Sequence, residues 1–291
     1  AKTTYDFTFH TPAIYQFVSV GEKISDGKEG GMYHSSWKMA TPQRNMSFNL
    51  GYFKEYDHTD PRTPPIKVLM GKTTHTGFQV GNGGDNDVAQ DVANSVVFYE
   101  HVFGKTSQKN FTVSEIPLPH GEAFPGFIHL AWSTFDNHEH IAGFNEYFRA
   151  HEVAHQWFGN LVTMGWWDDL WLNEGFASWM ENKATDHFHP EWKVWLSTQA
   201  GQQGAMRLDS RAGTHPVIAD IPDVFAAANA FDAITYQKGQ AVIRMLEAYV
   251  GEDAFKAGVR SYIRDHAYRN AVSDDLWRAL DKAAPDKKVV D

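Results

Sequence analysis

Hydrophobic and polar residues alternate in several short runs in the first half of the chain. Alternation is typical of strands that bury one face, and it runs through residues 5–9 and 46–52. Glycine and polar turn residues separate these runs, notably over residues 26–31. Short apolar runs predict further strands at residues 66–70, 111–116 and 127–132. The first half is therefore predicted to be rich in β-sheet.

Apolar residues spaced three and four apart predict helices in the rest of the chain. One helix is predicted over residues 85–103, with Gly104 as its stop. From residue 137 onward a helical period leads into His151. Later helices are predicted around residues 171–179, 255–263 and 273–280. Strands first and helices afterwards predict an α+β fold.

A polar, proline-rich segment at residues 57–65 predicts a domain boundary. Residues 1–57 are too short to form an independent domain of the usual size. We therefore expect residues 1–57 to be the end of an N-terminal β-sheet domain. Residues 58–291 are expected to form the second domain.

The composition restricts the partners and the chemistry. The net charge of −10 argues against nucleic acid, because phosphate binding needs clustered Lys and Arg. No apolar run approaches the ~18–20 residues that span a bilayer, so a soluble protein is expected. The chain has no cysteine, which excludes thiolate nucleophiles and sulfur ligands and favours an extracytoplasmic location over a cytosolic one.

The sequence His-Glu-Val-Ala-His at residues 151–155 has the spacing of a metal site. Residues four apart lie on one face of a helix, so His151 and His155 can reach the same ion, with Glu152 beside it. A catalytic zinc takes three protein ligands, and Glu174 on the next predicted helix supplies a carboxylate nineteen residues after His155. A chance match on an ordinary helix is the alternative interpretation.

Two blocks of sequence resemble the M1 family of zinc metallopeptidases, the group of aminopeptidase N and leukotriene A4 hydrolase. They are residues 151–179 and residues 231–239. The resemblance covers most of residues 60–285. It implies that residues 58–291 form a thermolysin-like catalytic domain, with a mixed α/β lobe followed by a helical lobe. It also implies that flanking domains of a longer parent protein are missing from this chain.

The resemblance implies a role for each residue of the expected site. One Zn²⁺ ion would be bound by His151, His155 and Glu174. Glu152 would be the general base and Tyr236 the donor to the oxyanion. A peptide would be the substrate.

One departure from the family concerns the substrate's amino end. Family aminopeptidases carry a Gly-x-Met-Glu-Asn motif whose glutamate holds the free α-amino group, and Ala123 stands where that glutamate is expected. Glu122 lies one position away, and in an extended segment a shift of one residue points a side chain to the opposite face. Glu181 shares a helix face with Glu174 and is a second candidate for this role, or a buried structural residue.

Three functions follow from this reading of the sequence. The first is an aminopeptidase with Glu122, Glu181 or a carboxylate outside this chain as its amine anchor. The second is a metallopeptidase of altered specificity that cuts within chains. The third is a catalytically inactive peptide-binding module that keeps its metal site.

Overall fold

The computed structural model describes residues 2–73, 84–135 and 144–290, with the side chains of residues 84–86 left aside. The predicted start of a helix near residue 137 lies outside these ranges. Within them the chain combines β-sheets with helices, which confirms the α+β class. None of the helices in these ranges is long and apolar enough to cross a bilayer.

Twelve strands lie in the described ranges. They are β1 (Thr3–Pro12), β2 (Gln16–Ser19), β3 (Glu22–Glu29), β4 (Met32–Gln43), β5 (Phe48–Gly51), β6 (Phe53–His58), β7 (Ile66–Gly71), β8 (Phe111–Ile116), β9 (Glu122–Phe124), β10 (Phe127–Ala131), β11 (Thr163–Met164) and β12 (Asn270–Ala271). The predicted strands at residues 66–70 and 111–116 are confirmed.

Seven α-helices lie in the same ranges. They are α1 (Gly84–Phe103), α2 (Phe144–Ala154), α3 (Trp171–Phe188), α4 (Val194–Asp209), α5 (Gly239–Val250), α6 (Glu252–Asp265) and α7 (Ser273–Ala283). The helix predicted over residues 85–103 is confirmed as α1. Gly104 follows it at a φ of +104°, a conformation that glycine adopts readily and other residues avoid.

The chain divides into two compact units. One contains Ala1–Val97 and Thr106–Gln156, and the other contains Phe98–Lys105 and Trp157–Asp291. Strands β1–β10 and helix α2 belong to the first unit, and helices α3–α7 belong to the second.

A five-stranded sheet of order β6-β7-β8-β10-β9 is the centre of the first unit. Strands β7, β8 and β10 run parallel, whereas β6 and β9 pair antiparallel at the two edges. Every residue of β8 and β10 is buried, as expected for parallel strands that are covered on both faces. Strands β1, β4 and β3 form a separate antiparallel sheet, and β2 pairs with β5.

A hydrophobic cluster joins the N-terminal strands to this sheet within the first unit. Its buried members are Val18, Val20, Trp37, Met39, Phe53, Leu69 and Phe127. Strand β6 runs across the predicted boundary after residue 57 and pairs with β7, which lies beyond it. The boundary itself stays a prediction.

Helix α3 is the buried element of the second unit. Phe176 stacks on Phe158 with ring centroids 4.2 Å apart, and Trp179 packs edge-on against Phe255 at 5.2 Å. Twelve of its residues are buried, on all sides of the helix. Because seven consecutive residues, 174–180, are buried, this part of the helix is surrounded by protein and makes a rigid support for a side chain.

Candidate metal centre

Helix α2 carries the two histidines of the predicted site. His151 lies in its last turn, and the helix ends at Ala154. The amide of His155 still donates to the carbonyl of His151 at 3.4 Å, so the backbone follows the helical path through both residues. The two rings are half-buried and lie edge to face, with centroids 4.8 Å apart.

A buried arginine holds helix α2 in the first unit. Arg149 is 1% exposed, and it donates hydrogen bonds to the carboxylate of Asp91 on α1 and to the carbonyl of Thr134. Burial raises the pKa of Asp91 to about 6, although the neighbouring Arg149 charge acts in the opposite direction. Removing one partner of a buried ion pair leaves the other uncompensated, so this contact fixes the position of α2 strongly.

Gln156, just beyond α2, connects this part of the chain to the edge of the five-stranded sheet. Its side-chain amide donates to the carbonyl of Phe124 at 3.1 Å and accepts from the amide of Gly126 at 3.0 Å. Phe124 is the last residue of β9, and Gly126 lies in the two-residue connection to β10. The end of α2 is thereby held against strand β9.

Gly121 lies directly against the side chain of Glu152. A Cβ atom at position 121 would lie 2.6 Å from Cδ and 2.8 Å from Cγ of Glu152, closer than real Cβ contacts allow. Alternate residues of an extended segment point to the same face. Ala123 therefore faces the side of Glu152, whereas the exposed Glu122 faces the other side, opposite His129 in β10.

The structure brings His151, His155 and Glu174 together. One ligand atom from each lies within 4.8 Å of the other two, and Glu174 is 8% exposed in the first turn of α3. A tetrahedral site with zinc–ligand distances of about 2.0–2.2 Å places its ligand atoms roughly 3.4 Å apart. The three residues offer ligand atoms of the kind and number that a zinc ion takes from protein.

The N-terminal end of α3 is fixed to helix α7. The indole of Trp171 donates to the hydroxyl of Ser273 at 3.0 Å and stacks on Trp277 at 5.4 Å. The hydroxyl and the amide of Ser273 donate to the buried carboxylate of Asp169. These contacts hold the turn that carries Glu174.

Tyr236 lies in a π-helical turn, Ile234–Lys238, immediately before α5. Its side chain is half-buried. A Cβ atom at Gly175 would lie 3.0 Å from the carbonyl carbon of Gly239, so α3 and the start of α5 touch backbone to backbone. Gly175 follows Glu174 directly, and Gly239 lies three residues after Tyr236.

Glu181 lies two turns after Glu174 on α3 and is half-buried. Burial raises the pKa of Tyr99 well above its usual range, and the charge of Glu181 adds to that rise. Glu181 therefore acts electrostatically on a fully buried tyrosine within the second unit. This environment is compatible with both predicted roles, the amine anchor and the buried structural residue.

Sequence reasoning did not single out several residues that shape this region. Gly175 and Gly239 stand inside the two blocks that resemble the M1 family, but their contact joins residues 64 positions apart. Asp232 accepts from the backbone amides of Ile234 and Thr235. An aspartate two and three residues before those amides is the local signal that predicts such a turn.

Comparison with known proteins finds a family model and several relatives that are similar to this chain. Residues 140–291 match the profile of the peptidase family M1 domain. Aminopeptidase M1-A of Oryza sativa subsp. japonica is 50% identical over 135 residues, which are 46% of this chain. Aminopeptidase M1 of Arabidopsis thaliana is 49% identical over 132 residues, or 45% of this chain.

A third relative matches over a longer range. Leucyl aminopeptidase of Saccharolobus solfataricus is 35% identical over 277 residues, which cover 90% of this chain. The matched region spans 33% of that relative's length and 15% of the length of each plant relative. This chain therefore corresponds to only part of the length of each of these relatives.

Proposed function

This chain belongs to peptidase family M1, and from that premise we propose that it hydrolyses peptide bonds with one zinc ion and removes residues from free N-termini. The observation that carries the proposal is the approach of ligand atoms of His151, His155 and Glu174 to within 4.8 Å of one another. Two histidines and a glutamate form the ligand set of known zinc peptidases. The relatives named as aminopeptidases support the same function.

The donor set of the site suits zinc. The chain contains no cysteine, so the proposed ligands are two imidazole nitrogens and one carboxylate oxygen. These three ligands leave the fourth coordination position of zinc open for the reaction. When bound, the ion supplies Lewis-acid polarisation of the scissile carbonyl. The chemistry that follows depends on the side chains of this chain.

Glu152 is the proposed general base. It follows the ligand His151 directly and is 5% exposed, so few water molecules compete for its carboxylate. It takes a proton from the water that attacks the carbonyl carbon and then gives that proton to the leaving amine nitrogen. The carboxylate ends the cycle in the charge state in which it began.

Tyr236 is the proposed donor to the oxyanion. Its hydroxyl would donate a hydrogen bond to the carbonyl oxygen as that oxygen gains negative charge. Loss of one such donor costs on the order of 100–1000-fold in rate. The contact between Gly175 and Gly239 supports this assignment, because it keeps the turn of Tyr236 close to the helix of Glu174.

Recognition of a free N-terminus requires a negative charge near the site. Ala123 offers none, although it faces the side of Glu152. Strand alternation directs Glu122 to the opposite face, which disfavours it as the anchor. Glu181, on the same helix as Glu174, is the better supported of the two candidates in this chain.

A second candidate function follows from the same position. Because position 123 carries no glutamate, it provides no negative charge that would select peptides with a free amine. A peptide with a blocked N-terminus, or one whose N-terminus lies far from the scissile bond, could then bind as well. The site would then cleave within chains as well as at their ends. Ala123 is the observation that favours this alternative.

Two fluorogenic peptides that differ only in N-terminal acetylation distinguish these functions. The zinc-loaded protein is expected to cleave the free-amine peptide and to leave the acetylated one intact. Glu152→Gln should lower kcat by at least about 100-fold, because general acid–base catalysis supplies about that much or more. Its zinc content should not change. Glu252→Gln, an exposed glutamate on α6, is the matched control and should keep full activity.

Each outcome of this experiment has a definite meaning. Cleavage of both peptides would support the second candidate function. Cleavage of neither, with zinc bound, would refute both. Full activity of Glu152→Gln would remove this residue from the role of general base.

A further inference from the structure

Both ring nitrogens of His215 face hydrogen-bond acceptors. Nδ1 lies 2.8 Å from the carbonyl oxygen of Pro216, and Nε2 lies 2.9 Å from Oδ2 of Asp232. A carbonyl and an ionised carboxylate can only accept, and a neutral imidazole carries one N–H. The doubly protonated ring is the form that satisfies both contacts, so this geometry is that of an imidazolium ion.

The surrounding charges agree with a protonated ring. Partial burial lowers the pKa of His215, but the hydrogen bonds to Asp232 and to the Pro216 carbonyl outweigh it and raise the pKa above its usual value. Lys238 lies 2.8 Å from Asp209 and opposes the rise. Together Asp209, Lys238, Asp232 and protonated His215 form a set of two negative and two positive charges.

The same carboxylate organises the turn that contains Tyr236. Oδ1 of Asp232 accepts from the amides of Ile234 at 2.9 Å and Thr235 at 3.2 Å. The carbonyl of Asp232 accepts from the amide of Tyr236 at 3.1 Å. One oxygen of Asp232 therefore binds His215, and the other binds the first amides of the π-helical turn.

Each end of this turn has its own connection to the segment around His215. At the far end, Lys238 pairs with Asp209, and Asp209 also accepts from the hydroxyl of Thr214 at 2.9 Å. At the near end, Asp232 pairs with His215. A turn fixed at both ends transmits a change in the His215–Asp232 contact to the residue between them.

We propose that protonated His215, acting through Asp232, is a positioning residue for Tyr236, and that loss of its proton lowers the rate of peptide hydrolysis. The inference rests on the proposed role of Tyr236. His215 itself touches neither the substrate nor the metal in this account. It orients the backbone turn that carries the side chain of Tyr236.

The direction of the pH dependence follows from the raised pKa of His215. Below its usual value of about 6.5 the ring is protonated and both hydrogen bonds are present. As the pH rises through the raised pKa, the ring loses a proton and one of its two hydrogen bonds. The contribution of His215 to kcat should therefore disappear on the alkaline side of the profile.

The test is a set of kcat and KM profiles against pH for the zinc-loaded protein and the free-amine peptide. His215→Ala is expected to lower kcat roughly tenfold, because displacement of a catalytic group by about 1 Å costs up to about 100-fold. KM should change by less than about twofold, since substrate binding is not involved. His189→Gln, at another histidine that pairs with a carboxylate, is the matched control and should leave both constants unchanged.

His215→Gln separates positioning from folding. A glutamine places a neutral N–H donor near the position of Nε2, so it should restore most of kcat and remove the alkaline limb that His215 contributes. In a Tyr236→Phe background, His215→Ala should cause no further loss of kcat. A titration followed by ¹⁵N NMR should give a pKa for His215 above about 6.5. In Asp232→Asn the pKa of His215 should no longer be raised.

The outcomes distinguish this inference from the function on which it rests. Unchanged kcat in Tyr236→Phe would refute the role of Tyr236 and this inference with it. If Tyr236→Phe is impaired and His215→Ala lowers kcat by the same factor in both backgrounds, His215 does not act through Tyr236, and the inference alone fails. A pKa for His215 at or below about 6.5 would also overturn it.

Discussion

Gly121 has no side chain, and its backbone packs directly against the side chain of Glu152. A methyl group there would meet Cδ of the carboxylate at 2.6 Å. Glu152 is 5% exposed, so it has little space into which it can move. The conformation of the proposed general base is therefore set by a residue that contributes no side chain.

Gly121→Ala is accordingly expected to lower kcat by at least about tenfold, since the new methyl group displaces the Glu152 carboxylate. Zinc content should stay at the wild-type value because none of the three ligands moves. Steady-state kinetics and metal analysis on the same sample measure both quantities. Gly27→Ala, on strand β3 where a Cβ atom meets nothing within 4 Å, is the control. Equal kcat for Gly121→Ala and Gly27→Ala would contradict the proposed contact.

At the scale of secondary structure, the contact between α3 and α5 is the feature that relates Glu174 to Tyr236. A Cβ atom at Gly175 would meet three backbone atoms of Gly239 and Gln240 at 3.0–3.3 Å. Backbone atoms within packed helices cannot rotate away as a flexible side chain can. A side chain at Gly175 would therefore force the two helices apart by a few tenths of an ångström.

Gly175→Ala should therefore lower the free energy of unfolding by about 1–3 kcal/mol, the usual cost of overpacking. Chemical denaturation of the metal-free protein is the measurement, so that zinc binding does not enter the result. Gly204→Ala, on the exposed surface of α4, should instead raise the free energy of unfolding by about 0.5–1 kcal/mol. Stabilisation of similar size in both variants would show that α3 and α5 have room to separate.

At the scale of the whole molecule, the sequence predicted the elements whose signals are local. Strand β8 was predicted at its observed bounds, Phe111–Ile116, and α1 within one residue of its start. The spacing of His151 and His155 is also local, because one helical turn relates them. Such features depend on a few neighbouring residues, which a single sequence displays.

Features that depend on distant residues were not predicted. The order of strands in the five-stranded sheet follows from packing, and no turn signal specifies it. The pairing of His215 with Asp232 joins a loop to a π-helical turn across 17 positions. The contact of Gly175 with Gly239 depends on how two helices pack, which the helical period of either one does not specify.

The central claim is that one zinc ion at His151, His155 and Glu174 supports peptide hydrolysis. The most direct test removes metal with a chelator and restores it stepwise, while cleavage of the free-amine peptide is followed. We predict that activity disappears on removal, rises in proportion to added zinc and reaches a plateau at one ion per chain. Undiminished cleavage by the metal-free protein, or a plateau at another stoichiometry, would contradict this account.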